Sequence, residues 1–464
     1  MEKKRRYVPT KIIAFMLLCV SGLPFFSCAT KSDVYKEIDH EVNRENFKAG
    51  VAAIEHGQKR KEKPVYHEKN AVSLFLDKGL LEHYAGNYEV SSQNLQEAER
   101  LIQEAFTKSI TADVASFVVN DNTKEYPGED FEDIYINIFN ALNYYNRGDI
   151  EGAMVEIRKL TISSGKLDML SRKYEDARQG LGDGVLGTLN KFGISMNDAL
   201  PQGDPVNFSN SALARYLSVL FYLADGNTDG ARIELEQLQT AFKSNAKVYY
   251  NSVPQSVAEL QNVPDGKARL NVIGFSGLSP NKEEGKFIGA FPFFANKELW
   301  APVFKLPKMV KRPSRINRIE VVTEGHGSFD LELLEDMGAV VEETYNARFA
   351  NIFFKTFIRV LLKYSAVDIA ATAAAEKGGD WANLARLGTA AAGRITADAT
   401  EAADIRMSRY MPDKAYVGGI NLDPGIYNVT VHYYSGNQHI AKNEYRNVYV
   451  RAKALNLIEA VSLR

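Results

Sequence analysis

Residues 134–160 read IYINIFNALNYYNRGDIEGAMVEIRKL. An apolar run of helical period ends at Gly148, Asp149 follows, and a second apolar stripe returns at Ala153, Ile157 and Leu160. This is the pattern of two antiparallel helices. A glycine ends the first helix by taking the left-handed conformation, and the acidic residue caps the second. A small residue five places after the glycine lets the helices approach, and apolar residues four and seven places further on keep one stripe turned to the partner. The pattern recurs twice. Gly86-Asn87-Tyr88 precedes Ser91, Leu95 and Ala98, after an apolar run at 74–84. Gly226-Asn227-Thr228 precedes Ala231, Leu235 and Leu238, after a run at 213–223. From 33 to about 251 the chain carries almost no period-two alternation, so residues 28–262 are expected to form an all-α domain of repeated hairpins.

Beyond Asn262 the signal changes. Tyr427-Asn428-Val429-Thr430-Val431-His432-Tyr433 alternates strictly behind an Asp423-Pro424-Gly425 turn. Tyr427, Val429, Val431 and Tyr433 are expected to face the core of an antiparallel sheet. Segments 269–275, 287–294 and 318–323 share its β-branched and aromatic composition, and 445–450 and 455–463 are expected to complete the sheet. Between these groups, 343–376 returns to helical period. Tyr345, Phe349, Ile352, Phe353, Phe357, Val360, Leu361 and Tyr364 form one face, with Arg348, Lys355, Arg359 and Lys363 along an edge. An Ala-rich tract follows, ending near Ile405. The expectation is a core-facing helix with a solvated basic edge; the alternatives are a helix at a bilayer surface and one that holds a partner helix. The fold class is therefore α+β: helical repeats at 28–262, a β-rich domain at 263–340 and 412–464, and a helical insertion at 341–411.

The chain opens with Lys3, Lys4, Arg5, Arg6 and Lys11, then an apolar run at 12–26. That order is a secretory signal, and the run is short for a membrane span. Phe25-Phe26-Ser27-Cys28-Ala29 resembles a bacterial lipoprotein cleavage site, with Phe25 where Leu is usual. The resemblance implies removal of residues 1–27 and acylation of the Cys28 thiol. Cys19 and Cys28 are the two cysteines, and Cys19 lies inside the signal, so the mature chain is expected to form no disulfide. Acyl chains, at about 0.8 kcal/mol per buried CH₂, would hold such a domain on a bilayer. Ala29 after the cysteine, where Asp would mark the inner membrane, implies by analogy the outer membrane, with the domain facing the periplasm. A chain of 464 residues that is 45% hydrophobic is neither disordered nor collagenous, and needs no disulfide scaffold. With 56 Lys and Arg against 58 Asp and Glu it has no large basic excess, and nucleic acid is not an expected partner.

The hairpins resemble tetratricopeptide repeats, with Gly79, Ala141, Tyr144 and Tyr222 at positions that repeat usually fills in its first helix. Five phrases then occur in order. They are YPGEDFE from Tyr126, GLSPNKEE from Gly277, RPSR from Arg312, ADIR from Ala403 leading to Met411-Pro412, and LDPGIY from Leu422. Together they resemble a family of uncharacterised bacterial envelope lipoproteins with tetratricopeptide-like repeats, over most of the mature chain. Where that family more often has an Asp-Thr-Arg-Ser-Trp-like run, this chain has Ile405-Arg406-Met407-Ser408-Arg409. The family implies an envelope lipoprotein and brings no established activity.

The phrases have mechanical readings. Pro127-Gly128 reads as a turn, and Glu129 and Asp130 as the acidic first turn of a helix, where the dipole favours carboxylates. A cation site built from Glu125, Glu129, Asp130, Glu132 and Asp133 is the competing reading. Lys282, Glu283 and Glu284 read as loop and edge charges, because a glycosidase pair needs two carboxyls across a cleft. Gly180, Gly182, Gly184 and Gly187 follow no strand and lack a Gly-Lys-Ser/Thr ending, so they are not a phosphate cradle. His40, His56, His67, His83, His326, His432 and His439 fall in no zinc-like spacing, and no Gly-x-Ser-x-Gly elbow occurs. No catalytic, metal or cofactor-binding residue is assigned; Cys28 is the site residue, as the point of lipidation. The expectation is a non-catalytic, lipid-anchored scaffold whose helical groove recruits an envelope protein or peptide partner. The alternatives are a cell-wall or glycan hydrolase whose carboxylates meet only in the fold, and a membrane-surface or lipid-binding module.

Overall fold

The computed structural model describes residues 31–60, 64–110, 124–161, 166, 208, 210–288, 303–377, 389–390, 392–393, 396–397 and 401–464. Residues 1–27, expected to be a signal, Cys28 and the glycines of 180–187 lie outside them. Successive helical hairpins pair α1 (Lys31–Asn43) with α2 (Phe47–Gln58) and α3 (Ala71–Tyr84) with α4 (Tyr88–Ile110). They continue with α5 (Asp130–Asn146) and α6 (Ile150–Thr161), then α7 (Ala212–Ala224) and α8 (Thr228–Ser244).

The three glycine turns form as their sequence predicts. Gly86, Gly148 and Gly226 take φ of 80°, 79° and 75°. The next amide bonds back five residues in each, Asn87 to Glu82 at 2.8 Å, Asp149 to Tyr144 at 2.9 Å and Asn227 to Tyr222 at 2.9 Å. These bonds satisfy carbonyls that a helix end leaves unpaired. Asp149 and Asn227 cap the second helices through Gly152 and Gly230 N–H, each at 2.8 Å. Asn87 departs from that role and donates to Glu82 at 2.6 Å. Ser91, Ala153 and Ala231 are 0% exposed at the helix crossings, as their small size requires. A Cβ at Gly148 would meet nothing within 4 Å, so Gly148→Ala tests backbone strain alone. Urea unfolding is expected to show a loss of about 1 kcal/mol, and a smaller one for Gly148→Asn. The α1–α2 turn carried no glycine signal, because Glu45 there takes φ 60°.

The strands are β1 (Ala268–Leu278), β2 (Asn281–Ile288), β3 (Val303–Val310), β4 (Arg318–Thr323), β5 (Gly327–Asp330) and β6 (Glu332–Asp336). Helix α9 (Met337–Lys377) follows, then β7 (Pro412–Leu422), β8 (Gly425–Ser435), β9 (Gln438–Val450) and β10 (Asn456–Ser462). An inner sheet has the order β10-β1-β7-β6, an outer sheet β5-β4-β8-β9, and β2–β3 pair on their own. The fold is α+β, with helices first and strands after them.

Two strand expectations need correction. β10 does not complete the sheet of β8 and β9; it joins the inner sheet, parallel to β1, with Leu270 opposite Asn456 and Ser276 opposite Ser462. The reason is apolar residues on both of its sides. Ile458 and Ala460 pack toward the outer sheet and Leu457 and Val461 toward the helices, so β10 belongs where both faces are covered. The segment expected at 287–294 begins earlier, at Asn281, and its described part ends at Ile288. Lys282, Glu283 and Glu284 therefore lie in a strand and not in a loop.

β1 shows how the layers stack. Leu270 and Val272 pack with Ile319, Val321, Val429 and Val431 of the outer sheet, whereas Ile273 and Phe275 join the helical core. The Phe275 ring lies 5.4 Å from that of Phe139 on α5. One hydrophobic core thus runs from the helices through the inner sheet's near face, and a second fills the space between the sheets. No helix among the described residues is long and apolar enough to cross a membrane.

Candidate functional site

Residues 401–411 have no regular secondary structure, yet Glu401, Ala403, Met407, Ser408, Tyr410 and Met411 are buried. A buried segment outside any ladder must pair its backbone groups elsewhere. Carboxylates on the first helices of two hairpins do this, and one on a third holds the segment's side chains. Asp77 of α3 accepts the Arg409 N–H at 2.7 Å and the Ser408 hydroxyl at 2.8 Å, while its other oxygen accepts the Tyr66 hydroxyl at 2.7 Å. Glu132 of α5 accepts the Ser408 N–H at 2.5 Å, the Tyr126 hydroxyl at 2.8 Å and the Glu129 N–H at 2.7 Å. Asp39 of α1 holds the Arg409 guanidinium at 2.8 Å and the Tyr410 hydroxyl at 2.9 Å.

The strap's carbonyls are engaged from the other side. Arg312 donates to Arg409 O at 2.6 Å and to Ser279 O at 2.7 Å, and Tyr84 donates to Tyr410 O at 3.0 Å. Arg406 lies 5.2 Å from the centre of the Tyr126 ring and pairs with Asp404 at 2.7 Å. Four of the five phrases therefore meet at one strap, which pins the helices to the sheets.

Burial dominates the electrostatics. It pushes Asp77 up to about 6 against the hydrogen bonds that favour its anion. Burial, and then the neighbouring Glu129 charge, pushes Glu132 up to about 7. Arg312 is brought down to about 10, first by burial and next by Arg409. A similar buried acid, Glu335 on β6, is raised by burial although it accepts from Tyr135 and Tyr249 at 2.7 Å each. It also takes the Leu213 N–H of α7 at 3.1 Å, so it ties the inner sheet to α5 and α7. His83 bridges α3 to Glu459 on β10 at 2.5 Å and to Asn143 on α5 at 2.7 Å. Burial opposes its charge, but Glu459 and Asn143 outweigh burial and raise it.

Three readings of charged residues change. Glu129 and Glu132 do sit at a helix start, as a capping box, but Glu132 is 0% exposed and serves the strap. Glu129 faces Arg348 at 2.7 Å and Lys282, and Asp133 faces Lys166 at 2.6 Å, so cations of the chain meet the acidic phrase. Lys282 is buried and not an edge charge; Glu284 accepts the Ala403 N–H at 3.1 Å. The basic edge of α9 is paired with carboxylates where it is described. Arg348 meets Glu129, while Arg359 and Lys363 meet the buried Glu401 at 2.5 and 2.8 Å. The Lys355 side chain lies outside the described residues.

Among the described residues no three His, Cys, Asp or Glu converge as a metal-ligand set. Two open clefts mark the surface. One lies between β3 and α9, lined by Pro307, Met309, Glu342, Tyr345 and Phe349; the other is bordered by Asn43, Arg44, Arg315 and Arg464. Neither lining sets two carboxylates against each other. Sequence reading missed Asp39 and Asp77. Asp77 carried a signal, a lone acid within the apolar run 74–84. The chain matches no family model, no curated protein and no solved structure.

Proposed function

We propose that the protein is a lipoprotein of the bacterial cell envelope, tethered through Cys28, that acts as a non-catalytic scaffold for an envelope protein or peptide. The observation that carries the scaffold reading is the use made of its strongly perturbed acids. Asp77, Glu132 and Glu335 each accept several N–H or O–H donors of the chain itself, and those donors join separate layers of the fold. Such groups hold structure together; a reacting acid needs a face open to substrate.

The groove reading is revised in one respect. The first-helix carboxylates hold the chain's own strap, and α7 is buried along residues 212–221 beside the inner sheet. The second helices carry the exposed large apolar residues of the hairpins, Val90, Ile150, Val155 and Ile233. These exposed second-helix residues are the surface we propose for the partner. A photo-crosslinking side chain at Val155 or Ile233 in intact cells is expected to give the same discrete adduct from both positions. Cys28→Ser is expected to release the protein from sedimenting membranes. A Cys28→Ser chain that stays with the vesicles overturns the tether, and no adduct from any of the four positions overturns the scaffold.

A further inference from the structure

The hairpin of β8 and β9 brings together two histidines that are separate in sequence. His432 Nδ1 lies 3.1 Å from His439 Nε2, with the rings 5.2 Å apart at 66°. His432 is half-buried and His439 exposed, on the face of the outer sheet turned away from the core. We propose that these two nitrogens form a clasp for a divalent transition-metal ion of the zinc or copper type.

The separation fits the chemistry. Two metal–nitrogen bonds of about 2.0–2.1 Å span about 2.9 Å at a right angle and about 3.3 Å at the tetrahedral angle. The observed distance falls between them, so the two nitrogens already stand at the spacing an ion needs, and each ring turns its near nitrogen toward the shared ion. In the neutral pair one ring carries its proton between the two near nitrogens; on binding that proton passes through water to the same ring's far nitrogen, leaving both near lone pairs to the ion, and no oxidant or other reactant is needed. The platform is rigid, because Val431 and Tyr433, the flanking inward residues, are 0% exposed in the inter-sheet core.

The surrounding charges are mixed. Glu320 of β4 stands opposite His432 in register, with Arg318 3.5 Å from its carboxylate. Lys442 of β9 stands opposite His432 on the other side and is paired with Glu444. The Tyr434 ring packs edge-on to His439 at 5.4 Å. Burial, and then His439, lower the pKa of His432, which favours its neutral form. With two protein nitrogens in place, water completes the coordination. A His-x6-His spacing matches no zinc motif because the pair forms across a hairpin.

The test is calorimetric titration of the untagged mature chain with Zn²⁺ alone, repeated with Cu²⁺. One ion per chain is expected. His432→Ala and His439→Ala are each expected to weaken binding at least tenfold, and Lys442→Ala to leave it unweakened. These side chains lie on the surface, so the variants should fold, which circular dichroism checks. NMR of the histidine ring protons should show zinc shifting His432 and His439 ahead of the other histidines. No uptake at several hundred micromolar of either ion overturns the clasp. So does wild-type affinity in the double variant.

Discussion

Asp77→Ala is expected to destabilise the protein by about 4 kcal/mol, measured by urea unfolding at pH 7. The substitution removes three acceptor contacts at once, to the Tyr66 hydroxyl, the Ser408 hydroxyl and the Arg409 N–H. Stranding donors in a buried site costs more than the bonds themselves contribute, and breaking a buried charged network typically costs about 3–5 kcal/mol. Asp77→Asn should cost about half as much, since one oxygen can still serve the strap while the Tyr66 hydroxyl rotates to accept from the new amide. Hydrogen exchange at the Arg409 amide should accelerate in both variants. A loss below 1 kcal/mol for Asp77→Ala would mean that the strap is not held by this carboxylate.

The second large effect is a stability maximum on the acid side of neutrality. Glu132 sits near 7 in the folded chain against an ordinary 4.5, and Asp77 near 6 against 3.8. Below their ordinary values both states hold the proton. Between the ordinary and the raised value the folded chain binds more protons than the unfolded one, so stability falls as pH rises. Each group's contribution is fully present below its unfolded pKa and lost once pH passes its folded value, roughly 3 kcal/mol for each. His83 is raised too and acts in the same direction. Glu99 opposes at low pH. The Lys166 and Lys159 ammonium groups outweigh its burial and hold it near 2, so its contribution is lost as pH falls from about 4.5 toward 2. Melting temperature should therefore peak near pH 5 and decline toward pH 8. Glu132→Gln should flatten that decline, whatever it costs at a single pH. An unchanged slope in the variant, or a melting temperature that rises from pH 5 to 8, would refute the assignment.

The helical half was legible because its information is local. The turn at Gly148, the cap at Asp149 and the small residue at Ala153 all lie within one hairpin, and each acts on neighbours a few bonds away. The α1–α2 hairpin escaped because Glu45 takes the left-handed conformation without being glycine. Strand alternation at 427–433 gave β8 its core face, with Val429 and Val431 inward as the pattern requires. The candidate site was legible only as phrases. Nothing near Glu132 in sequence points to Ser408, and nothing near Arg359 points to Glu401.

By itself, the sequence determined the α+β class, the three glycine-turned hairpins and the inward side of β8. Each follows from backbone preference or hydrophobic period, which neighbours along the chain supply. Only the tertiary structure decided that β10 lies parallel to β1, that the basic edge of α9 meets carboxylates, and that residues 401–411 thread between helices and sheets. Those choices depend on which buried charge finds a partner and which strand has two faces to cover, and their partners stand tens to hundreds of residues apart.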